Sequence, residues 1–154
     1  MKTFFVAAAA IALIAMAGSG MASDSNTLTV TASVAGTCKF GSTTSTLGFG
    51  SLDPSVGTDV NASNTTQFWC TKGVTTDVVS AGNGNNYAGG QRGMKDTVSS
   101  DVIPYSLSLT KDLNLNAGPS APRTLTLAGT VLGADYTGKT AGSYSDTVTI
   151  SITP

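Results

Sequence analysis

Three side-chain types decide what chemistry this chain of 154 residues can do: histidine, which is absent, aspartate, which supplies all nine acidic groups, and cysteine, of which there are two. Without histidine, no Ser-His-Asp triad, His-ligated zinc or Cys-His nucleophile pair can be assembled. Two cysteines cannot fill a four-thiolate zinc site. A net charge of −1 gives no electrostatic footprint for nucleic acid. These counts favour binding or building over catalysis.

Four further patterns invite a chemical reading. Gly133-Ala-Asp-Tyr-Thr-Gly138-Lys139-Thr140 satisfies the phosphate-loop expression in full. That loop works only where it opens a helix whose first N–H groups cradle the phosphates. Here Ala141-Gly142-Ser143 and an alternating strand follow, so the segment reads as a turn. Paired carboxylates do acid–base work in glycoside hydrolysis, but the nine Asp are dispersed, and Asp53, Asp135 and Asp146 sit beside turns or at strand ends. Asp53, Asp59 and Asn61 hint at calcium, without the EF-hand spacing. Trp69 and the four Tyr suggest a sugar platform, against which core packing is the plainer expectation. No enzyme, metal or cofactor is expected.

The cysteines need a compartment. Lys2 followed by the apolar run Phe4–Ala17 reads as a secretory signal peptide over residues 1–22, cleaved after Ala22 or, as the rival, after Ala17. Fourteen apolar residues fall short of the roughly 20 needed to span a membrane. The remaining 132 residues hold 40 Ser and Thr, so the core is thin. Export to an oxidising compartment would join Cys38 to Cys70, closing a loop worth roughly 3–4 kcal/mol in the chain-entropy model. Two buried free thiols are the competing reading.

The elements that position these residues alternate with period two. Leu28, Val30, Ala32 and Val34 alternate with Thr27, Thr29, Thr31 and Ser33; Phe68 and Cys70 with Gln67 and Trp69; Ile103, Tyr105, Leu107 and Leu109 with Pro104, Ser106 and Ser108. Leu125 and Leu127 alternate with Thr124 and Thr126, and a last strand carries Tyr144, Val148, Ile150 and Ile152 on one parity. Such alternation marks half-buried strands. Turn chemistry at 48–50, 53–54, 73, 81–93, 117–122, 133 and 138–142 separates them, which predicts an antiparallel immunoglobulin-like sandwich.

The segment 23–36 admits two readings. Thr27–Val34 is either the plain first strand of a complete sandwich or a donor strand that completes a neighbouring subunit. Ala35-Gly36-Thr37 span at most about 11 Å, which makes it hard for the segment to cross its own sandwich. Composition alone leaves both open.

Five motifs in order carry a resemblance: Leu47-Gly-Phe49-Gly50-Ser-Leu-Asp53-Pro54, Cys70-Thr71-Lys72-Gly73, Arg92-Gly-Met94, Pro104-Tyr105-Ser-Leu107 and Gly142-Ser-Tyr144-Ser-Asp146-Thr147-Val148. Together with Cys38 and the leader, they resemble the spore coat protein U domain, a family that includes pilins of the archaic (Csu-type) chaperone–usher pathway. The segment Thr110–Pro122 departs from it, lacking a tryptophan that many relatives carry. The resemblance implies an all-β fold, an incomplete immunoglobulin-like antiparallel β-sandwich completed by a donor strand. It implies residues 23–36 as the N-terminal extension, with Leu28, Val30, Ala32 and Val34 as inserted side chains, and 37–154 as the domain. It implies a periplasmic chaperone, an outer-membrane usher and neighbouring subunits as partners, and a fibre at the cell surface. A secreted adhesive or ligand-binding module is the alternative.

Overall fold

The structure is a computed structural model that describes residues 23–154; the apolar leader and both cleavage positions lie outside the described residues. The chain divides into two units, Met1–Ser33 and Val34–Pro154, and each is taken by itself. In the first, the described residues from Ser23 to Ser33 are exposed and belong to no helix or strand.

The second unit is built from eight strands, β1 (Cys38–Phe40), β2 (Val60–Cys70), β3 (Val78–Ala81), β4 (Arg92–Asp96), β5 (Val102–Lys111), β6 (Arg123–Val131), β7 (Tyr144–Ser145) and β8 (Ile150–Thr153), with one helical turn, α1 (Gly133–Tyr136). Six strands form one sheet in the order β1-β2-β6-β5-β4-β7, and β3 pairs with β8 in a second. All pairings are antiparallel. The architecture is the all-β antiparallel sandwich that the alternation predicted.

The central strands show why. In β6 every second residue from Arg123 to Val131 is buried, and the Thr residues between them stand on the outer face. Ile103 and Tyr105 of β5 and Phe68 and Cys70 of β2 occupy the same inner face. Burying three such strands on one side accounts for the period-two pattern. Phe68, Cys70, Leu125 and Leu127 form one buried cluster, which the β3–β8 ribbon covers through Val79, Ile150 and Ile152. Ile103, Tyr105, Val131 and Tyr136 form a second, with Phe49, Met94, Leu107, Tyr144 and Val148 only partly buried against it.

Two expectations need correcting. The continuous last strand is two: β7 pairs with β4, β8 pairs with β3, and residues 146–149 have no ladder partner among the described residues. Side-chain parity runs through unbroken, because parity is a local property and pairing partner is not. Trp69 is not core either. It stands half-buried on the outer side, opposite Lys39 across the β1–β2 ladder.

The phosphate-loop pattern is also answered by position. Gly133 opens a single turn, and a Cβ on it would lie 1.9 Å from the Gly57 carbonyl oxygen. Its N–H donates to Asp59 Oδ1 at 2.9 Å, and the Tyr136 hydroxyl donates to the Thr58 carbonyl at 2.7 Å. The leading N–H and that space are taken by the 57–59 segment, and the chain continues from Thr140 into β7 rather than a helix.

Candidate functional site: an open groove over the inner sheet face

Between the two buried clusters lies a groove of about 580 Å³. Its floor is the inner face of β5 and β6, with Tyr105, Leu107 and Leu127. One wall is Ser42–Leu47 with Phe49; the other is Tyr144–Ile150. Phe40 and Met94 add to the apolar part of a lining whose walls are otherwise rich in Ser and Thr.

Both walls lack strand partners over most of their length, with only Tyr144–Ser145 and Ile150, at the ends of the second, paired in strands. After Gly41, whose N–H donates to the Gln67 carbonyl at 2.8 Å, the chain leaves the β2 ladder, and residues 42–49 join no sheet. Asn64 Nδ2 donating to the Thr46 carbonyl is the link from β2 to this wall. Gly129 permits the approach: a Cβ there would lie 3.0 Å from both Leu47 Cδ2 and Phe49 Cζ, and 2.7 Å from the Ser106 carbonyl oxygen. Phe49 then meets Tyr105 at 6.1 Å between ring centres, tilted by 56°, a geometry aromatic pairs favour. Opposite, Asp146, Thr147 and Val148 also lack a ladder partner. Two backbone stretches without ladder partners, beside an apolar lining in which Phe40, Phe49, Met94, Leu107 and Val148 are only partly buried, can take up main-chain hydrogen bonds and alternate side chains together, which is what an added β-strand supplies.

Of the residues singled out from sequence, Cys38 and Cys70 stand directly opposite in the β1–β2 register and are disulfide-bonded. Leu28 and Val30 are 84% and 81% exposed, Ala32 is exposed, and Val34, at the start of the second unit, is 86% exposed. The residues considered for calcium already have other partners, Asp59 Oδ1 accepting from the Gly133 N–H 74 residues along the chain. Asp53 Oδ1 accepts from the Ser55 N–H and hydroxyl, and Asn61 Oδ1 accepts from Thr130.

A polar cluster beside the disulfide escaped the sequence reading, which placed the Asp residues at turns and edges. Asp77 and Arg123 are both 7% exposed. Asp77 accepts from Lys111 Nζ at 2.6 Å, Asn116 Nδ2 at 2.8 Å and Arg123 Nη1 at 3.3 Å. Arg123 Nε donates to Asp112 Oδ1 at 2.8 Å, and its guanidinium lies 5.0 Å from the Phe68 ring centre. Burial pushes the Asp77 carboxyl up, but the hydrogen bonds from Lys111 and Asn116 and the charges of Lys111 and Arg123 outweigh it, leaving it below its ordinary value. The partners lie 34 to 46 residues from Asp77, so no local motif announces them.

Comparison with known proteins gives a family and related solved structures. The family model described as Spore Coat Protein U domain matches residues 24–151. A similar solved structure is the chaperone–tip adhesion subunit pre-assembly complex, CsuC-CsuE, from archaic chaperone-usher Csu pili of Acinetobacter baumannii. It shares 19% identity at a TM-score of 0.46, over 77% of this chain and 40% of that one. This chain thus matches well under half of that chain's length. No curated protein matches.

Proposed function

The chain belongs to the Spore Coat Protein U domain family, and from that premise we propose that it is a structural subunit of a surface fibre or coat, assembled by donor-strand exchange through a chaperone–usher system. The observation that carries this reading is the groove, with unpaired backbone on both walls and partly buried apolar side chains, Phe49, Met94, Leu107 and Val148, along it. The chain also carries a matching key in the exposed alternation Leu28, Val30, Ala32 and Val34. Eight extended residues from Thr27 to Val34 reach about 26 Å, and their alternate side chains would join the two buried clusters into one core.

In this reading residues 1–22 direct export, 23–36 donate the strand, and 37–154 form the accepting domain. A periplasmic chaperone fills the groove first, and an outer-membrane usher exchanges it for the next subunit's extension. Burying three large side chains and an alanine contributes roughly 5–10 kcal/mol, comparable with the stability of a whole domain. In this reading the protein's work is structural rather than catalytic.

The test is a chain lacking Ser23–Val34. It is expected to accept a donor strand but supply none, so that mixing it with wild type shortens polymers in proportion to its share. Normal fibres, or detergent-resistant ladders, from the deleted chain alone would overturn donation by this segment. Val30→Asp is expected to be nearly as damaging, since it buries an unpaired charge in the partner's core, whereas Thr29→Ala and Thr31→Ala, on the opposite face, stay mild.

A further inference from the structure

The wall at Asp146–Thr149 has no sheet to hold it, yet it is held. The Asp146 carboxylate accepts three donors from two other parts of the domain. Oδ2 takes the Tyr105 hydroxyl at 2.7 Å, while Oδ1 takes the Asn85 N–H at 2.8 Å and Asn86 Nδ2 at 3.4 Å. Asn86 Nδ2 also reaches the Ser145 carbonyl at 3.3 Å. Gly84 adopts φ +87°, and a Cβ there would lie 2.2 Å from Asp146 Oδ2, so the loop can wrap the carboxylate only through glycine.

That loop is itself tied to the frame. Arg92 donates to the Gly82 carbonyl at 2.9 and 2.7 Å and to the Ala81 carbonyl at 3.3 Å. Gln91 Nε2 donates to the Tyr105 carbonyl at 2.7 Å. At the far end of the wall, the Gly82 N–H donates to the Thr149 carbonyl at 2.8 Å. The wall is therefore gripped at Asp146 and at Thr149, and the backbone of Thr147 and Val148 is suspended between them, unpaired. Tyr105 belongs to the groove floor, so its bond to Asp146 joins floor to wall directly. Burial first, then the hydrogen bond and charge of Asp146, raise its phenol far above the ordinary value of 10.0, and Tyr105 remains a donor.

We propose that Asp146 is the positioning residue of the groove, fixing the height of the open wall above the floor so that Thr147–Val148 meets an incoming strand as a formed edge. The proposal rests on the donor-strand reading of the groove. It assigns to residues 84–86, which do not line the groove themselves, control over how long a bound strand is kept.

The experiment uses the full-length chain and a labelled synthetic peptide with the sequence of residues 25–36, with capture and release followed by fluorescence anisotropy. Asp146→Ala is expected to release the peptide about tenfold faster, the effect of losing charged hydrogen bonds. Asn86→Ala, a loop change outside the core, is expected to accelerate release by roughly threefold, and Asp146→Asn to recover part of the loss. Asp112→Ala, which loosens the ion cluster at the disulfide end, is expected to lower the melting temperature without changing release. Should Asp146→Ala fail to fold, Asn86→Ala and Tyr105→Phe carry the test. Wild-type release rates in those variants, with faster amide exchange at Gly82, would mean that Asp146 only pins the loop. Equal acceleration by Asp112→Ala would reduce the effect to general stability. Either result overturns the proposal. If the wild-type chain captures no peptide, the groove reading itself falls and takes the proposal with it, a result visible without any variant.

Discussion

Asp77 and Arg123 carry more of this domain's stability than their type suggests. Removing one partner of a buried pair strands the other, at about 3–5 kcal/mol. Arg123→Ala, which leaves Asp77 with Lys111 and Asn116 alone and uncovers the Phe68 ring, is expected to fall near the lower end, measured by urea unfolding. The pH dependence has a definite sign. In Asp77 and Asp112 burial pushes upward, but hydrogen bonds and neighbouring positive charge win, so both folded values lie below the ordinary 3.8. A depressed carboxylate contributes stability that is complete above its unfolded value and is lost as pH falls through the folded one. Melting temperature is therefore expected to hold from neutrality to about pH 5 and then drop towards pH 2. In Arg123→Ala both folded values move back towards 3.8, so the drop is smaller and is complete at higher pH. An identical acid limb in that variant would remove the cluster from the account. None of this was legible beforehand, because the chain pairs residues through strand register and register is not written locally.

At the scale of elements, the disulfide ties β1, a strand of three residues, to β2, one of eleven. Three residues of ladder alone would fray, and the covalent link is what keeps β1 in place. Replacing Cys38 and Cys70 together with Ala is expected to cost roughly 3–4 kcal/mol and to expose Phe40, which a rise in amide exchange along β1 would register. Non-reducing mass spectrometry of the exported chain checks the bond itself, at 2 Da below the reduced form; quantitative labelling of two thiols would contradict it. The strands of the inner face were readable because each buries one side only, as the alternation of Leu125, Leu127 and Val131 with Thr124, Thr126 and Thr130 shows. The groove wall Ser42-Thr-Thr-Ser-Thr46 was not. Its residues are exposed and unpatterned, and its place follows from Gly129 on another strand. The split of the last strand was hidden for a different reason, since Val148, Ile150 and Ile152 keep one parity while the pairing partner changes.

For the whole molecule, the proposed exchange predicts that a chain is least stable alone. Adding the peptide of residues 25–36 to the chain lacking Ser23–Val34 is expected to raise its melting temperature by several degrees per kcal/mol of binding, and no shift at saturating peptide would argue against strand completion. The position of Cys38 then has a consequence for a fibre under load. Tension arriving along the extension enters the domain through Val34–Thr37 and reaches β1, an edge strand of three residues that would unzip one hydrogen bond at a time. At Cys38 the force passes instead through a covalent bond into Cys70, the end of the longest strand, which is paired with β6 from Val60 to Phe68. The load thereby reaches a ladder of nine residue pairs in place of one of three, so β1 serves less as a strand of the sheet than as a rivet for the cable that pulls on it.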